Sequence, residues 1–257
     1  LIGIDVESDG MNIEMLENVL KSNDVKVIYT IPTFQNPSGA TMSLEKRKKL
    51  LELAAKYDVI IIEDNPYGDL RFSGEDVPTI KSLDTDGRVI YTGSFSKILS
   101  PGMRLGYVVA DKNFCDRIEV VKQVNDVHTP VLTQMMCVEF MKKYNIDEYI
   151  EKSRKLYGEK CRFMLDCMEK YFPDVITWNE PEGGLFIWCS CPEGTDIQEL
   201  LKKCIENNVA FVPGNNFATD ISAKSNKFRL NYSSVTMEKI EQGIKKMGEV
   251  FTEYFKN

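Results

Sequence analysis

The sequence predicts an α/β protein, with a mostly parallel sheet and flanking helices, followed by a smaller α+β domain. In the first half, short apolar runs alternate with segments whose apolar residues recur at helical spacing, which is typical of strands joined by helical crossovers. After about residue 130, long helical patterns come first, and short strands with two further helices follow. We therefore expect a large domain at 1–155 and a small C-terminal domain at 156–257.

The strands of the large domain are predicted from short apolar runs. These runs lie at 1–6, 25–30, 59–62, 88–92 and 105–110. The run at 59–62 is wholly apolar, as expected for a strand buried on both faces. Between strands, 44–57 has apolar residues at helical spacing and Ser43 as its N-cap. Asp111 is placed to cap the helix that follows the last of these strands.

The second half predicts long helices and then a compact α+β module. Helical periodicity covers 132–143 and 146–171, and the domain boundary is placed inside the second of these helices. The module has short apolar runs and two amphipathic segments. Its predicted strands are 175–178, 185–189, 209–212 and 227–232, and its predicted helices are 196–207 and 236–255.

Composition excludes several functional classes for this chain. The net charge is -7 and the pI is about 5.0, which argues against a broad nucleic-acid surface because such a surface needs a basic face. No apolar run approaches the ~20 residues of a membrane helix. Seven cysteines, an odd number with no Cys-x-x-Cys, predict free thiols, no metal site and a cytoplasmic protein.

The segment most informative about chemistry is 92–106, which follows a predicted buried strand. Lys97 leaves the carboxyl end of that strand, where α/β sheets bind ligands. Ser94, Ser96 and Arg104 lie around it, and hydroxyls with a guanidinium suit a phosphorylated ligand. A lysine amine can also form an imine with a carbonyl compound. The plainer interpretation is a surface loop with ordinary charges.

Four further side chains are candidates for the same site. Asp64 follows the apolar run 59–62. A carboxylate is costly to bury there unless it meets a cation, such as a protonated pyridine nitrogen. The plainer interpretation of Asp64 is a helix or turn cap at the end of a strand. Tyr67 can donate to a phenolic oxygen or simply pack. Asn36 lies in a Pro/Gly loop and serves either turn chemistry or a cofactor's ring oxygen. Arg229, in a late strand, is either a paired structural charge or a carboxylate clamp.

Taken together, 32–39, 64–67, 94–104 and Arg229 resemble fold-type I enzymes that depend on pyridoxal 5′-phosphate (PLP), specifically the class I/II aminotransferases. The order and spacing are most similar to the branch that includes 2-aminoadipate, kynurenine and aromatic aminotransferases, and the resemblance runs from Asp5 to the C-terminus. It implies the PLP-transferase fold and PLP-dependent transamination between an α-amino acid and a 2-oxo acid. It also implies a homodimer for the intact protein.

The same resemblance implies catalytic and ring-binding roles for four residues. Lys97 would carry PLP as a Schiff base and later shuttle a proton. Asp64 would pair with the pyridine nitrogen of the cofactor. Tyr67 and Asn36 would hydrogen-bond the phenolic oxygen, and Asn36 would also lie near the substrate carboxylate.

The remaining candidates are assigned, again by resemblance, to the two anionic groups. Ser94, Ser96 and Arg104 would hold the phosphate of PLP. Arg229 would bind the α-carboxylate of the amino acid. The chain begins at Leu1, inside a predicted strand, whereas family members carry a long segment before this position. We therefore expect an N-terminally truncated fragment that binds PLP weakly and has little activity alone.

Two other functions fit the same motifs. A transcriptional regulator of the GntR/MocR type carries a PLP-binding domain of this fold behind a DNA-binding winged helix. Asn36 favours the enzyme, because such domains often lack an amide at that position. A PLP-dependent C–S lyase can use the same lysine, and its products would distinguish it from an aminotransferase.

Overall fold

The computed structural model describes residues 1–220 and 222–256. The chain forms two compact units. The large unit comprises Ile4–Gln35 and Ala40–Arg154, and the small unit comprises Leu1–Gly3, Asn36–Gly39 and Lys155–Asn257. The domain ranges 1–155 and 156–257 remain a prediction about how these units are organised in the protein.

The large unit alternates strands and helices as the apolar pattern predicts. Its elements are β1 (Val6–Glu7), β2 (Gly10–Met11), α1 (Ile13–Ser22), β3 (Val27–Thr30), α2 (Leu44–Lys56), β4 (Ile60–Asn65), α3 (Ile80–Leu83), β5 (Val89–Ser94), β6 (Gly106–Val109), α4 (Lys112–Asn125) and α5 (Val131–Lys143). The next helix, α6 (Ile146–Tyr171), contains the boundary between Arg154 and Lys155. Short 3₁₀ helices lie at Gly68–Leu70 and Pro101–Met103.

The main sheet has the order β3-β4-β5-β6, in which the first three strands are parallel and β6 is antiparallel to β5. In the parallel register, Asp64 of β4 lies opposite Thr92 of β5. The carboxyl ends of β4 and β5 therefore reach the same edge of the sheet. In α/β proteins this edge is where ligands bind.

Helices α1, α2 and α3 contribute to the core on one face of this sheet. The cluster includes Leu16 and Leu20 of α1, Leu50 and Leu53 of α2, Ile80 of α3, and Ile28, Ile61 and Val89 of the strands. The prediction that 59–62 is buried on both faces is wrong. Because strand side chains alternate, Ile61 is fully buried, whereas Ile60 and Ile62 remain partly exposed on the other face.

Arg47 is a fully buried charge that braces the core of the large unit. Its Nε donates to Met42 O at 2.9 Å, and its Nη1 donates to Pro78 O at 3.0 Å. Its Nη2 donates to Pro32 O at 3.0 Å and to Thr33 Oγ1 at 2.9 Å. Burial lowers the pKa of Arg47 to about 10, so the side chain is still charged at neutral pH. One guanidinium thus satisfies acceptors from three chain segments.

Glu63 is the second fully buried charge of this unit. Its carboxylate accepts the backbone N–H groups of Ile80 at 2.9 Å and Lys81 at 2.7 Å. Burial raises the pKa of Glu63, and these two hydrogen bonds partly offset that rise. Glu63 therefore fixes the start of α3 against β4.

The small unit has an antiparallel sheet with the order β7-β8-β10-β9. Its elements, besides most of α6, are β7 (Thr177–Trp178), β8 (Phe186–Ser190), α7 (Ile197–Glu206), β9 (Val212–Pro213), β10 (Lys227–Asn231) and α8 (Met237–Lys256). Its core contains Ile187 and Phe228 of the sheet, Leu200 of α7 and Phe251 of α8, all fully buried. In the described part of the chain the seven cysteines are free, and no helix is both long and apolar enough to span a membrane.

The predicted helices of the large unit are confirmed where local capping signals are strong. Ser43 Oγ accepts the N–H of Lys46 at the start of α2, and Asp111 caps α4 through Asn113 N. The pattern did not predict α1, although Asn12 Oδ1 caps it through Met15 N at 2.7 Å.

Two predicted strands are wrong in extent. The apolar run 1–6 contributes only its last residue to a strand, because Val6 pairs with Met11 in a short hairpin. The run 209–212 contributes only Val212, which pairs with Arg229. In both places the extent of pairing with another strand, rather than the apolar run, sets the strand.

Candidate active site

Asp64 lies near the carboxyl end of β4, with hydrogen-bond donors on both neighbouring strands. Tyr29 Oη of β3 donates to Asp64 Oδ2 at 2.6 Å, and Thr92 Oγ1 of β5 donates to Asp64 Oδ1 at 3.0 Å. Each carboxylate oxygen is therefore bound from a different side. These bonds join adjacent strands, which differs from the turn cap that was the plainer interpretation of Asp64.

Tyr67 follows β4 by two residues and is buried. Burial, the hydrogen bond to Asp64 and the nearby Tyr67 together raise the pKa of the Tyr29 hydroxyl well above its usual range. Tyr29 therefore stays protonated and donates to Asp64 at any physiological pH. Two tyrosine hydroxyls and one carboxylate thus belong to this part of the sheet edge.

Ser94, Ser96 and Arg104 form a polar cluster at and just after the carboxyl end of β5. The Ser96 N–H donates to Ser94 Oγ at 3.0 Å, and Arg104 Nη1 donates to Ser96 Oγ at 3.4 Å. Arg104 adopts left-handed backbone angles after the 3₁₀ turn, with φ 53° and ψ 41°. The loop is closed at its base by Phe95 N, which donates to Leu105 O at 3.1 Å. Hydroxyl and guanidinium donors are thereby gathered in one short segment.

Lys97 directly follows Ser96 in the chain and is partly buried. Its neighbour Ile98 is buried and anchors the segment. Within residues 1–220 and 222–256, the Lys97 ammonium group has no hydrogen-bond or ion-pair partner. The amine of Lys97 is therefore not committed to a partner in the part of the chain that the structure describes.

Asn36 and Arg229 are brought together in the small unit. Arg229 Nη1, on β10, donates to Asn36 Oδ1 at 2.5 Å. The Arg229 guanidinium carbon also lies 4.0 Å from the ring centroid of Phe186 and 5.0 Å from that of Phe217. Such cation–π contacts hold a guanidinium in a defined plane. Arg229 is thus oriented by one amide and two rings.

The eight candidate residues fall into two groups, one in each unit. The large unit carries Asp64, Tyr67, Ser94, Ser96, Lys97 and Arg104 at or beyond the ends of β4 and β5, and the small unit carries Asn36 and Arg229. Sequence reasoning missed four neighbours of these residues, namely Tyr29, Thr92, Phe186 and Phe217. Tyr29, Thr92 and Phe186 could be placed within predicted strands, but which side chains they contact depends on how the strands pair.

Comparison with known proteins identifies the family. The family model described as aminotransferase class I and II matches residues 5–247, which is nearly the whole chain. The chain therefore belongs to the class I and II aminotransferases. This confirms the family predicted from the motifs at 32–39, 64–67 and 94–104.

Individual relatives agree with this assignment. The chain is 44% identical over 260 residues to aromatic-amino-acid aminotransferase 1 of Thermococcus litoralis, covering 99% of the chain and 62% of the relative. It superimposes with a TM-score of 0.95 on the crystal structure of Pyrococcus horikoshii kynurenine aminotransferase, solved with PMP, KYN as substrates and KYA as products. That match has 42% identity and covers 100% of this chain and 64% of the other. The predicted α/β PLP-transferase fold is confirmed.

A third relative belongs to a different functional class. The chain is 29% identical to the uncharacterized HTH-type transcriptional regulator YisV of Bacillus subtilis, over 97% of the chain and 51% of the relative. The chain spans less than two thirds of the length of all three relatives. The relatives of this chain therefore include proteins named as aminotransferases and one named as a transcriptional regulator.

Proposed function

We propose that the protein to which this chain belongs is a PLP-dependent aminotransferase that exchanges amino and oxo groups between an α-amino acid and a 2-oxo acid. The observation that carries the proposal is the shared sheet edge: Asp64 near the carboxyl end of β4 is bound by Thr92 of the neighbouring β5, and Ser94, Ser96, Lys97 and Arg104 lie at or after the carboxyl end of β5. Membership of the class I and II aminotransferases supports the same conclusion.

The groups at this edge fit PLP in their chemistry. Ser94, Ser96 and Arg104 supply hydroxyl and guanidinium donors that suit a phosphate. The Asp64 carboxylate suits a protonated ring nitrogen, and the Lys97 amine suits the aldehyde. When bound, PLP supplies an electron sink that stabilises negative charge at the α-carbon of the amino acid.

The residues of the large unit then have separate tasks. Asp64 would hold a proton at the ring nitrogen. Lys97 would bind the aldehyde of the cofactor through its amine and would move a proton at the α-carbon of the substrate. The Tyr67 hydroxyl would donate to the phenolic oxygen of the ring. For Asn36 we propose the contacts with that oxygen and with the substrate carboxylate that the family resemblance implies.

The direct test uses the product of the complete gene, loaded with PLP. Aromatic amino acids and kynurenine are the first donors to assay, because the relatives are named for them. We expect a 2-oxo acid from the donor and an amino acid from the added 2-oxo acid in equal amounts. A C–S lyase would instead release a thiol and ammonia from a sulfur-containing amino acid without any second substrate. That product pattern would overturn the proposal.

Arg229 is proposed to bind the α-carboxylate of the substrate through its planar fork. We expect Arg229→Lys to lower kcat/KM for an amino acid by about 10- to 100-fold, the equivalent of one or two charge-assisted hydrogen bonds. Steady-state kinetics would show the loss mainly in KM. Arg229→Lys should leave turnover of the corresponding amine, which lacks a carboxylate, unchanged. The control variant Arg162→Lys alters an exposed arginine of α6 and should leave kcat/KM for the amino acid unchanged. An unchanged KM would contradict this role.

The regulator remains a second candidate because one relative is a transcriptional regulator of the HTH type. A regulator would bind PLP but turn over little amino acid, and the complete gene product would bind a DNA duplex that contains its operator. Multiple turnovers of the amino acid without DNA binding would favour the enzyme. The Asn36–Arg229 pair is consistent with the enzyme, since it provides an oriented group for a carboxylate.

We further propose that the protein is a cytoplasmic homodimer. Free thiols on all seven cysteines suit a reducing compartment. Helices α4 and α5 expose large apolar side chains, including Val124 at 85%, Leu132 at 70% and Met135 at 61%. Apolar surface of this kind marks interaction sites, and a second copy of the chain is the occupant we propose.

Charges on these helices are expected to weaken the dimer. Val124→Lys combined with Met135→Lys should shift the protein towards monomer, because each lysine would be desolvated at the interface. The matched control is Ile205→Lys on α7, where the isoleucine is 57% exposed. Sedimentation equilibrium would measure the change. An equally stable dimer in the double variant would exclude this surface as the interface.

A further inference from the structure

We propose that Tyr29 and Thr92 are positioning residues that hold the Asp64 carboxylate in the orientation that meets the ring nitrogen of PLP. This inference rests on the proposed function. It concerns two side chains of the sheet itself, neither of which was among the candidate site residues predicted from the sequence.

The geometry carries the proposal. Asp64 lies on the middle strand of three parallel strands, β3, β4 and β5. Tyr29 Oη donates to one carboxylate oxygen at 2.6 Å, and Thr92 Oγ1 donates to the other at 3.0 Å. The terminal torsion of an aspartate is otherwise broad. Two donors from opposite neighbouring strands therefore fix the plane of the carboxylate.

The two hydrogen bonds leave capacity for a third partner. An ionised carboxylate has about four acceptor positions on its two oxygens. Tyr29 and Thr92 use one on each oxygen, so each oxygen keeps a second lone pair for an N–H donor. Neutral hydroxyl donors also preserve the negative charge of Asp64, which an arginine or lysine partner would neutralise.

Core packing does not account for these two hydroxyls. Tyr29 is 56% exposed and is not part of the buried core, and its hydroxyl donates to Asp64. Thr92 lies directly opposite Asp64 in the parallel register, and a valine of the same shape would fit the strand equally well. What distinguishes both positions from an ordinary strand residue is the hydrogen bond to Asp64.

The test compares two cofactors in the complete gene product: PLP, and an analogue that has a carbon in place of the ring nitrogen. Tyr29→Phe and Thr92→Val should each raise the dissociation constant of PLP by about tenfold. Without either hydroxyl the Asp64 carboxylate is held less firmly, which weakens its charge-assisted hydrogen bond with the ring N–H. The analogue offers no ring N–H to Asp64, so its dissociation constant should change by less than about twofold. Thr92→Ser should restore PLP affinity, because it restores the hydroxyl.

Tyr91→Phe is the matched control, since the Tyr91 hydroxyl on β5 accepts from Asn65 Nδ2 at 3.0 Å and does not contact Asp64. It should leave both dissociation constants unchanged. Equal weakening of PLP and the analogue by Tyr29→Phe and Thr92→Val would show a general structural effect and overturn the positioning role. Unchanged PLP affinity would also overturn it. If the unaltered protein bound neither cofactor, the proposed function itself would fail, and this inference with it.

Discussion

Replacing Lys97 with alanine is expected to lower the rate of transamination by about 10²–10⁴-fold, the usual contribution of a positioned general acid–base group. Lys97 follows the carboxyl end of β5 by three residues, and its amine has no competing partner among residues 1–220 and 222–256. Single-turnover absorbance of the bound cofactor would measure the loss. Lys112→Ala is the control, because Lys112 is exposed and pairs with Asp116.

The same variant separates attachment of the cofactor from proton transfer. Borohydride reduction followed by peptide mass analysis should find the cofactor mass on the peptide that contains Lys97, and nowhere on Lys97→Ala. A small external amine should recover part of the activity, since it can replace the missing base. A Lys97→Ala variant with the original rate would contradict the assignment of this lysine.

The second large effect is on stability. Arg47→Met is expected to lower the free energy of unfolding by about 3–5 kcal/mol, because methionine keeps the volume but leaves several buried acceptors unsatisfied. The affected groups are the carbonyls of Met42, Pro78 and Pro32 and the hydroxyl of Thr33. Denaturant-induced unfolding, followed by circular dichroism, measures the change.

The control variant is Arg117→Met, which alters an exposed arginine of α4 and should change the free energy of unfolding by less than about 0.5 kcal/mol. A loss below about 1 kcal/mol for Arg47→Met would mean that water reaches the freed carbonyls. In that case the guanidinium would not be the brace that its four hydrogen bonds indicate.

Sequence predicted the fold wherever the signal was local. The N-caps Ser43 and Asp111 and the periodicity of α2 and α6 depend on residues a few positions apart, so they could be seen without the structure. The run at 1–6 was misassigned because strand formation needs a partner, and only Val6 has one. Burial of β4 was overestimated for a related reason, because a wholly apolar run does not reveal which other elements cover each face of the strand.

The candidate site follows the same rule: residues with a local sequence signal could be predicted, and residues whose contacts depend on strand pairing could not. Lys97 and Asp64 were predictable because each follows a recognisable strand. Tyr29 and Thr92 were not, because their contacts with Asp64 depend on the register between three strands that are distant in sequence. Phe217 contacts Arg229 only after the small unit has folded.

The adjacent acids of β4 have a consequence for which sequence changes this protein can accept. Glu63 anchors α3 from one face of the strand, while Asp64 on the other face meets Tyr29 and Thr92. Because side chains alternate with a period of two, inserting or deleting one residue earlier in β4 would exchange the two faces. A length change of a single residue in this strand would therefore disrupt both sites at once. Alignments of natural variants should show β4 as a segment free of gaps.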